Sequence, residues 1–368
     1  MKKIAVFPFD YYLLPVVKNK DNLLNFQLSQ VFSLQGWGMV NDTISAACKD
    51  DTAGDTVVMD IFDESVNLDF DILYITNSNH KIEDTLLYRC VERVSKQQKN
   101  ILVSKKLSTE QMEHIEAICK QNNVHVQFLY ADVSADVIND TNEVLYPIGT
   151  PIISVSGVDE NTNKFEVQLE LYNRLKKDGY SVSWVSSRNE MLLCGEHPLP
   201  DFMFQTGISE TQKILMYNHF VKFIEEHETP DVIIMGIPGE MMPNSKLQVG
   251  HFGTTAFQIF NAINPDFSVL CVHCNGNTGD YFDRLLKAMQ YKFAVETDCI
   301  YISNISKNPF SLNKITPIEY IVYNNDFTNA AISQIAYDSC PQFDRNTYEK
   351  LYQFTVDKLH GYDDLQVM

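Results

Sequence analysis

Short apolar runs alternate with helical periods along most of this chain. Ile4–Phe9 and Asp71–Thr76 are continuous runs of the kind that form buried parallel strands. Leu87, Cys90, Val91 and Val94 then recur at helical spacing, Asn100–Ser104 gives another strand, and Ser108 with Gln111 opens a helix as a capping box. Met112, Ile115, Ile118 and Cys119 carry that helix, and Val124–Leu129 closes the series. From Ala131 to Asn142 the chain turns acidic and loses its period. A second series follows. Ile152, Ile153 and Val155 lead to Gly157, and a polar loop runs to Lys164. Phe165, Leu169, Tyr172 and Leu175 mark a helix ending at Gly179, before the apolar run Tyr180–Val185. Ser209 and Gln212 cap a long helix to about Glu228. Further strands are Asp231–Met235, Phe267–His273 and Cys299–Ser303, with Ile315–Tyr323 as an edge strand. Phe282, Leu285, Leu286, Met289 and Phe293 give one more helix, and Tyr348 to Leu359 a last one.

The pattern predicts an α/β protein: a Rossmann-like domain over residues 1–146 and a second α/β domain with a mostly parallel sheet over 147–325. A C-terminal helical extension, 326–368, packs on the second domain. A length of 368 residues suits two domains of ordinary size. No repeat interrupts the series.

Charge changes what this fold can be asked to do. Lys and Arg number 29 against 48 Asp and Glu, a net charge of −19, with no basic run. Phosphate-backbone binding draws on clustered cations, so nucleic acid and anionic membrane are excluded as expected partners. No apolar stretch reaches spanning length and none has signal-peptide form, so a cytoplasmic protein is expected. Eight scattered cysteines, most inside apolar runs, read as reduced buried thiols. The sequence sets no oligomeric state.

The segment from Pro151 to Ser187 carries the chemistry. Strand, loop with glycine and lysine, helix and strand form the layout of a phosphate-binding loop. Glycine admits a close anion, amides at a helix start hold phosphate, lysine neutralises its oxygens, and a following hydroxyl ligates Mg²⁺. Gly157 and Lys164 are in place. Asn163 replaces the glycine before the lysine; asparagine tolerates left-handed geometry, so the loop can persist. Phe165 stands at the hydroxyl position and cannot bind a metal. The strand Asp231–Met235 ends in Gly236 rather than a carboxylate, and Glu240 is the nearest substitute.

The run Gly157-Val158-Asp159…Asn163-Lys164 resembles the longer phosphate loop of dethiobiotin-synthetase-like enzymes, in degenerate form. Gly157, Asp159 and Lys164 match it; Val158, Asn163 and Phe165 depart. The resemblance implies ATP or GTP as ligand without fixing a cofactor. It gives Asp159 part of a Mg²⁺-holding role that Phe165 cannot complete, and it makes Asn304 the residue shown to the nucleotide base. The whole chain also resembles a clostridial family of peptide maturation system proteins. The resemblance is carried by Phe7-Pro8-Phe9-Asp10, the Gly36-Trp37-Gly38 turn and the degenerate loop. It implies accessory work beside a radical peptide-modifying enzyme and a small precursor peptide.

Other groups offer candidate chemistry. His251, between Gly250 and Gly253, is the candidate general acid or base, and Glu240, after Pro238-Gly239, is a second catalytic candidate. Its competing reading is an exposed histidine in a capping loop. Cys271-Val272-His273-Cys274 suggests thiol or metal chemistry, but a single pair lacks zinc spacing and buried strand residues explain it more simply. His273 or Cys274 can still face the crevice at the strand end. Arg188 and Glu190, after the strand ending near Ser187, are placed facing the same crevice. Three readings result. The first is a non-catalytic or weakly catalytic accessory protein that binds peptide or modifying enzyme through a degenerate nucleotide-binding fold. The second is an ATP- or GTP-dependent, ligase-like enzyme using Gly157 to Lys164. The third is a thiol or metal protein using Cys271 and Cys274. No resident metal is expected.

Overall fold

The structure, a computed structural model, describes residues 1–50, 52–129, 142–243, 245, 247, 252–274, 278–311, 318–324, 328–329 and 337–363. The protein is α/β, with two mostly parallel sheets of six and seven strands. The chain forms two compact units. Met1–Tyr130 and Arg188–Pro198 make the first, and Ala131–Ser187 and Leu199–Met368 make the second.

The first unit is built on β1 (Lys2–Phe7), β2 (Phe26–Ser33), β3 (Val58–Asp60), β4 (Ile72–Ile75), β5 (Asn100–Val103) and β6 (Val126–Phe128), in spatial order 3-2-1-4-5-6 and parallel throughout. Ile4 to Phe7 and Ile72 to Ile75 are buried along their whole length, which is why they are apolar at every position instead of alternating. The helices Asp84–Lys96 and Thr109–Gln121 bury Leu87, Cys90, Val91, Ile115 and Ile118, as their periods predict. Ser108 accepts from the Gln111 amide at 3.2 Å and Gln111 returns the bond to the Ser108 amide at 2.8 Å, so two orphan donors at that helix start are satisfied together. Gly36 and Gly38 both have positive φ, and Trp37 between them is half-buried against the core.

The chain leaves β1 toward β2 and leaves β4 toward β5 on the opposite side, which makes the carboxyl ends of β1 and β4 the switch point of this sheet. Arg188 and Glu190 are found here, not at the second unit's crevice where the sequence placed them. Glu190 is fully buried, and its carboxylate accepts from Thr76 Oγ1 at 2.6 Å and Tyr12 Oη at 3.4 Å. The Arg188 guanidinium lies 3.5 Å from the Tyr12 ring centroid. An apolar environment demands such pairing of a carboxylate, which open solvent would not. Burial also pushes the Tyr12 phenol up to about 12. Glu190→Ala removes the acceptor of both hydroxyls and is expected to cost about 2–3 kcal/mol, read as a lower urea midpoint by far-ultraviolet circular dichroism. An unchanged midpoint would show that water replaces the carboxylate.

The remaining strands are β7 (Ile152–Gly157), β8 (Val182–Ser186), β9 (His197–Pro198, in the segment that belongs to the first unit), β10 (Val232–Gly236), β11 (Phe267–Val272), β12 (Cys299–Ile302), β13 (Ile305–Lys307), β14 (Tyr320–Val322) and β15 (Gln342–Phe343). The large sheet runs in spatial order 15-12-11-7-10-8-9. β13 and β14 form a separate antiparallel pair. Ser209 and Gln212 cap the helix Glu210–Glu228 reciprocally, and helices also span Lys164–Lys177, Thr254–Ala262, Gly279–Phe293 and Tyr348–Asp363. The last helix packs on its own unit: Tyr348 stacks on Tyr301, Phe354 meets Phe267 edge-on, and Tyr352 donates to Asp178 at 2.6 Å.

Gly236 is explained by this packing. A Cβ there would lie 2.2 Å from Gln168 Oε1, and Gln168 is held by the indole of buried Trp184, which donates to that same oxygen at 3.0 Å. The strand end that would carry a metal-binding carboxylate in an intact phosphate-loop protein therefore has no room for any side chain.

Candidate functional site

β7 lies at the centre of the second sheet. From it the chain crosses to β8 on one side, whereas from β11, its other neighbour, the chain crosses to β12. The carboxyl ends of β7 and β11 are thus the switch point, the position where such sheets hold ligands.

From Val158 to Asn163 the backbone bends at every residue, and the helix starts at Lys164. Asn161 and Asn163 take φ of 54° and 58°, the left-handed conformation that asparagine tolerates. Asn163 is secured on both sides, donating to Glu166 Oε2 at 2.9 Å and accepting from the Ser303 hydroxyl. The Lys164 stem folds back over Gly157. A Cβ at Gly157 would lie 2.6 Å from Lys164 Cδ and 2.3 Å from Thr162 Oγ1, so only glycine leaves this path open. Lys164 is buried. Its ammonium donates to the Gly239 carbonyl at 3.0 Å and lies 3.5 Å from Glu160 Oε2. The segment is a curl wrapped round a buried lysine at a helix start.

Asp159 is the electrostatic centre. It is fully buried, and its Oδ2 lies 2.7 Å from Lys307 Nζ, 3.5 Å from His273 Nε2 and 3.5 Å from the Tyr320 hydroxyl. Burial alone would raise its pKa; the His273 hydrogen bond and the Lys307 charge outweigh burial and hold the carboxyl well below the usual range. The Tyr320 phenol moves the other way, pushed far up by burial and then by Asp159 and Glu160. His273 Nδ1 donates to the Ile305 carbonyl at 3.0 Å, which fixes the ring's orientation. The β13–β14 pair supplies most of these partners: Lys307 and Tyr320 sit opposite each other in its register, and Ile305 begins it.

Of the other residues singled out from sequence, Glu240 directly follows the Gly239 carbonyl that Lys164 uses, and its charge adds to the rise at Tyr320. Asn304 donates to the Tyr323 carbonyl at 3.2 Å and extends the β13–β14 pair at the end away from the connection between the two strands. His251 lies outside the described residues. Just past the end of β11, His273 lies toward Asp159 and Cys274 in the apolar core, where burial raises its thiol to about 11. Cys271 is fully buried, its thiol also pushed up by burial. A protonated, buried thiol is a poor nucleophile and a poor ligand. Among the described residues no group of His, Cys, Asp and Glu is arranged to hold a metal ion. None of their helices is long and apolar enough to cross a membrane.

The resemblance to the phosphate-loop enzymes implied Mg²⁺. The residues present do not fit it. Mg²⁺ demands near-octahedral oxygen ligands, but Phe165 offers none, Gly236 has no room for one, and Asp159 is engaged by an ammonium, an imidazole and a phenol.

Lys307, Tyr320 and Ser303 are the residues of this candidate site that sequence reasoning missed. The one available signal was that Lys307 is the first cation beyond the strand end at Ser303.

No protein-family model matches the sequence, and no curated protein matches it. Among solved structures, a DUF1611 family protein from Anabaena variabilis ATCC 29413 is similar to it, with a TM-score of 0.65 and 9% identity. That match covers 98% of this chain and 100% of the other. At such identity the likeness shows the α/β fold alone.

Proposed function

We propose that the curl from Gly157 to Lys164 holds a phosphate-bearing ligand of the nucleoside di- or triphosphate class. The protein then works as an accessory binding protein in the maturation of a ribosomally synthesised peptide. The observation that carries the first part is the folding of Lys164 back over Gly157 at the sheet's switch point, with two left-handed residues curling the loop around it. An anion entering there gains the helix start and a desolvated ammonium. The second part rests on the resemblance to peptide maturation proteins, and its partners are a precursor peptide or a radical peptide-modifying enzyme. A cytoplasmic setting suits the eight free thiols.

The ATP- or GTP-dependent, ligase-like reading draws on the same Gly157, Asp159 and Lys164. It requires an ion to bridge phosphate oxygens during transfer, and the poor fit of Mg²⁺ weighs toward holding the ligand rather than cleaving it.

Thermal unfolding with and without ATP, GTP and tripolyphosphate tests the binding reading. A ligand at about 100 times its dissociation constant adds roughly 2.7 kcal/mol to the folded state. Wild type is expected to shift upward and Lys164→Ala to show little or no shift. Equal shifts in both would place the ligand elsewhere. Co-purification with a precursor peptide or radical enzyme tests the accessory role separately.

A further inference from the structure

We infer that Asn163 is the positioning residue of this site: its side chain holds the curl 157–164 in the ligand-binding shape before any ligand arrives. The inference rests on reading that curl as a phosphate site, and adds what keeps it formed.

In the phosphate-loop motif glycine stands before the lysine. Asn163 takes that position with φ 58° and ψ 16°, a conformation that glycine enters more easily. If left-handed geometry were all the position required, asparagine would be the poorer choice. Its side chain makes the difference. The amide nitrogen donates to Glu166 Oε2 at 2.9 Å and the amide oxygen accepts from the Ser303 hydroxyl, so both ends of the group are engaged. Glycine can make neither bond.

Both anchors are themselves held by regular structure. Ser303 is fully buried directly after β12. Its own amide donates to the Val272 carbonyl of β11 at 2.8 Å, and its hydroxyl also accepts from the Ile305 amide of β13 at 3.0 Å. Glu166 lies in the first turn of the helix Lys164–Lys177, and its other carboxylate oxygen is 3.5 Å from Arg345 Nη2. Asn163 thus ties the end of the loop to two strands on one side and to its own helix on the other.

The direction of the side chain matters as well. An asparagine that opens a helix ordinarily caps it, its oxygen taking an amide of the first turn. Here that oxygen is turned away to Ser303, and the side chain makes no such cap. The group that fixes the curl therefore does not compete with an anion for the amides at the helix start. Holding a loop in its bound form also removes the ordering cost that a ligand would otherwise meet.

Restoring the motif glycine tests this. Tripolyphosphate is titrated calorimetrically into the full chain as wild type, Asn163→Gly, Glu166→Ala and Glu166→Gln, and hydrogen exchange over residues 157–168 is followed in the ligand-free proteins. Asn163→Gly is expected to bind about tenfold or more weakly, because the competent form becomes a minor part of its population. Its loop amides should exchange faster, while its melting temperature stays close to that of wild type. Glu166→Ala, which removes one anchor, should weaken binding in the same direction, and Glu166→Gln, which keeps an acceptor oxygen for Asn163, should restore it. An Asn163→Gly protein that binds as tightly as wild type, or more tightly, overturns the proposal; so does Glu166→Gln binding no better than Glu166→Ala. If wild type does not bind tripolyphosphate, the phosphate reading of the curl fails instead, and exchange alone decides the role of Asn163. Faster exchange over 157–168 in Asn163→Gly supports it; equal exchange rejects it.

Discussion

Asp159→Asn is expected to lower the melting temperature of the second unit by roughly 10 °C, through a loss of about 3–5 kcal/mol. The substitution conserves size, so the effect isolates charge. It puts a neutral amide where Lys307 and His273 meet a sealed carboxylate, and the cost is that of losing the buried charge that both contact rather than the worth of a single bond. The effect should depend on pH with a definite sign. The Asp159 carboxyl is depressed in the folded state. Its stabilisation is therefore complete above the unfolded pKa of about 4 and is lost as pH falls toward the folded value. Wild type and variant should differ by a constant amount from neutral pH down to about 5, and converge below about 4. Urea unfolding monitored by fluorescence at stepped pH measures this. A difference that grows on acidification would mean that Asp159 does not act as the ionised partner of Lys307.

Gly157→Ala has the second-largest expected effect, and it falls on binding more than on stability. The added methyl group would lie 2.3 Å from Thr162 Oγ1 and 2.6 Å from Lys164 Cδ. The lysine stem is the more movable neighbour, so the loop yields by expelling it, at about 1–3 kcal/mol of overpacking strain. With Lys164 displaced, ligand-induced stabilisation should vanish while the unit remains folded. Thermal unfolding with tripolyphosphate reads both. A Gly157→Ala protein that keeps its ligand shift would show that Lys164 need not lie over the glycine.

The parts of this picture visible in the sequence are those set by local chemistry. The runs Ile4–Phe9, Asp71–Thr76 and Ile152–Gly157 are mostly apolar without alternation because both faces of a parallel strand are covered, and the sequence reveals that directly. Ser108 with Gln111 and Ser209 with Gln212 announce helix starts through bonds made within four residues. The loop was legible for the same reason: glycine, asparagine and lysine each carry a conformational or charge requirement of their own. What was hidden depends on distant partners. β2 mixes Gln27, Ser29 and Gln30 with its apolar residues, and becomes a strand because β1 and β3 pair with it on either side. β15 is two residues long and exists only as an addition to β12. Arg188 and Glu190 follow a strand of one unit yet belong to the other, which no local pattern encodes. Lys307 looks like any lysine beyond a strand end until its strand brings it to Asp159. The metal positions show the same division. The absence of a hydroxyl at Phe165 could be read directly, but the reason for Gly236 is Gln168, a residue from a different part of the chain.

Hydrogen exchange of the intact protein, with and without saturating tripolyphosphate in EDTA, tests the anion site most directly because it reads the loop's own amides. Slowed exchange concentrated in peptides covering residues 157–168, and absent in Lys164→Ala, is the result expected of a phosphate held by this curl. Unchanged exchange there, or protection confined to other segments, would contradict it.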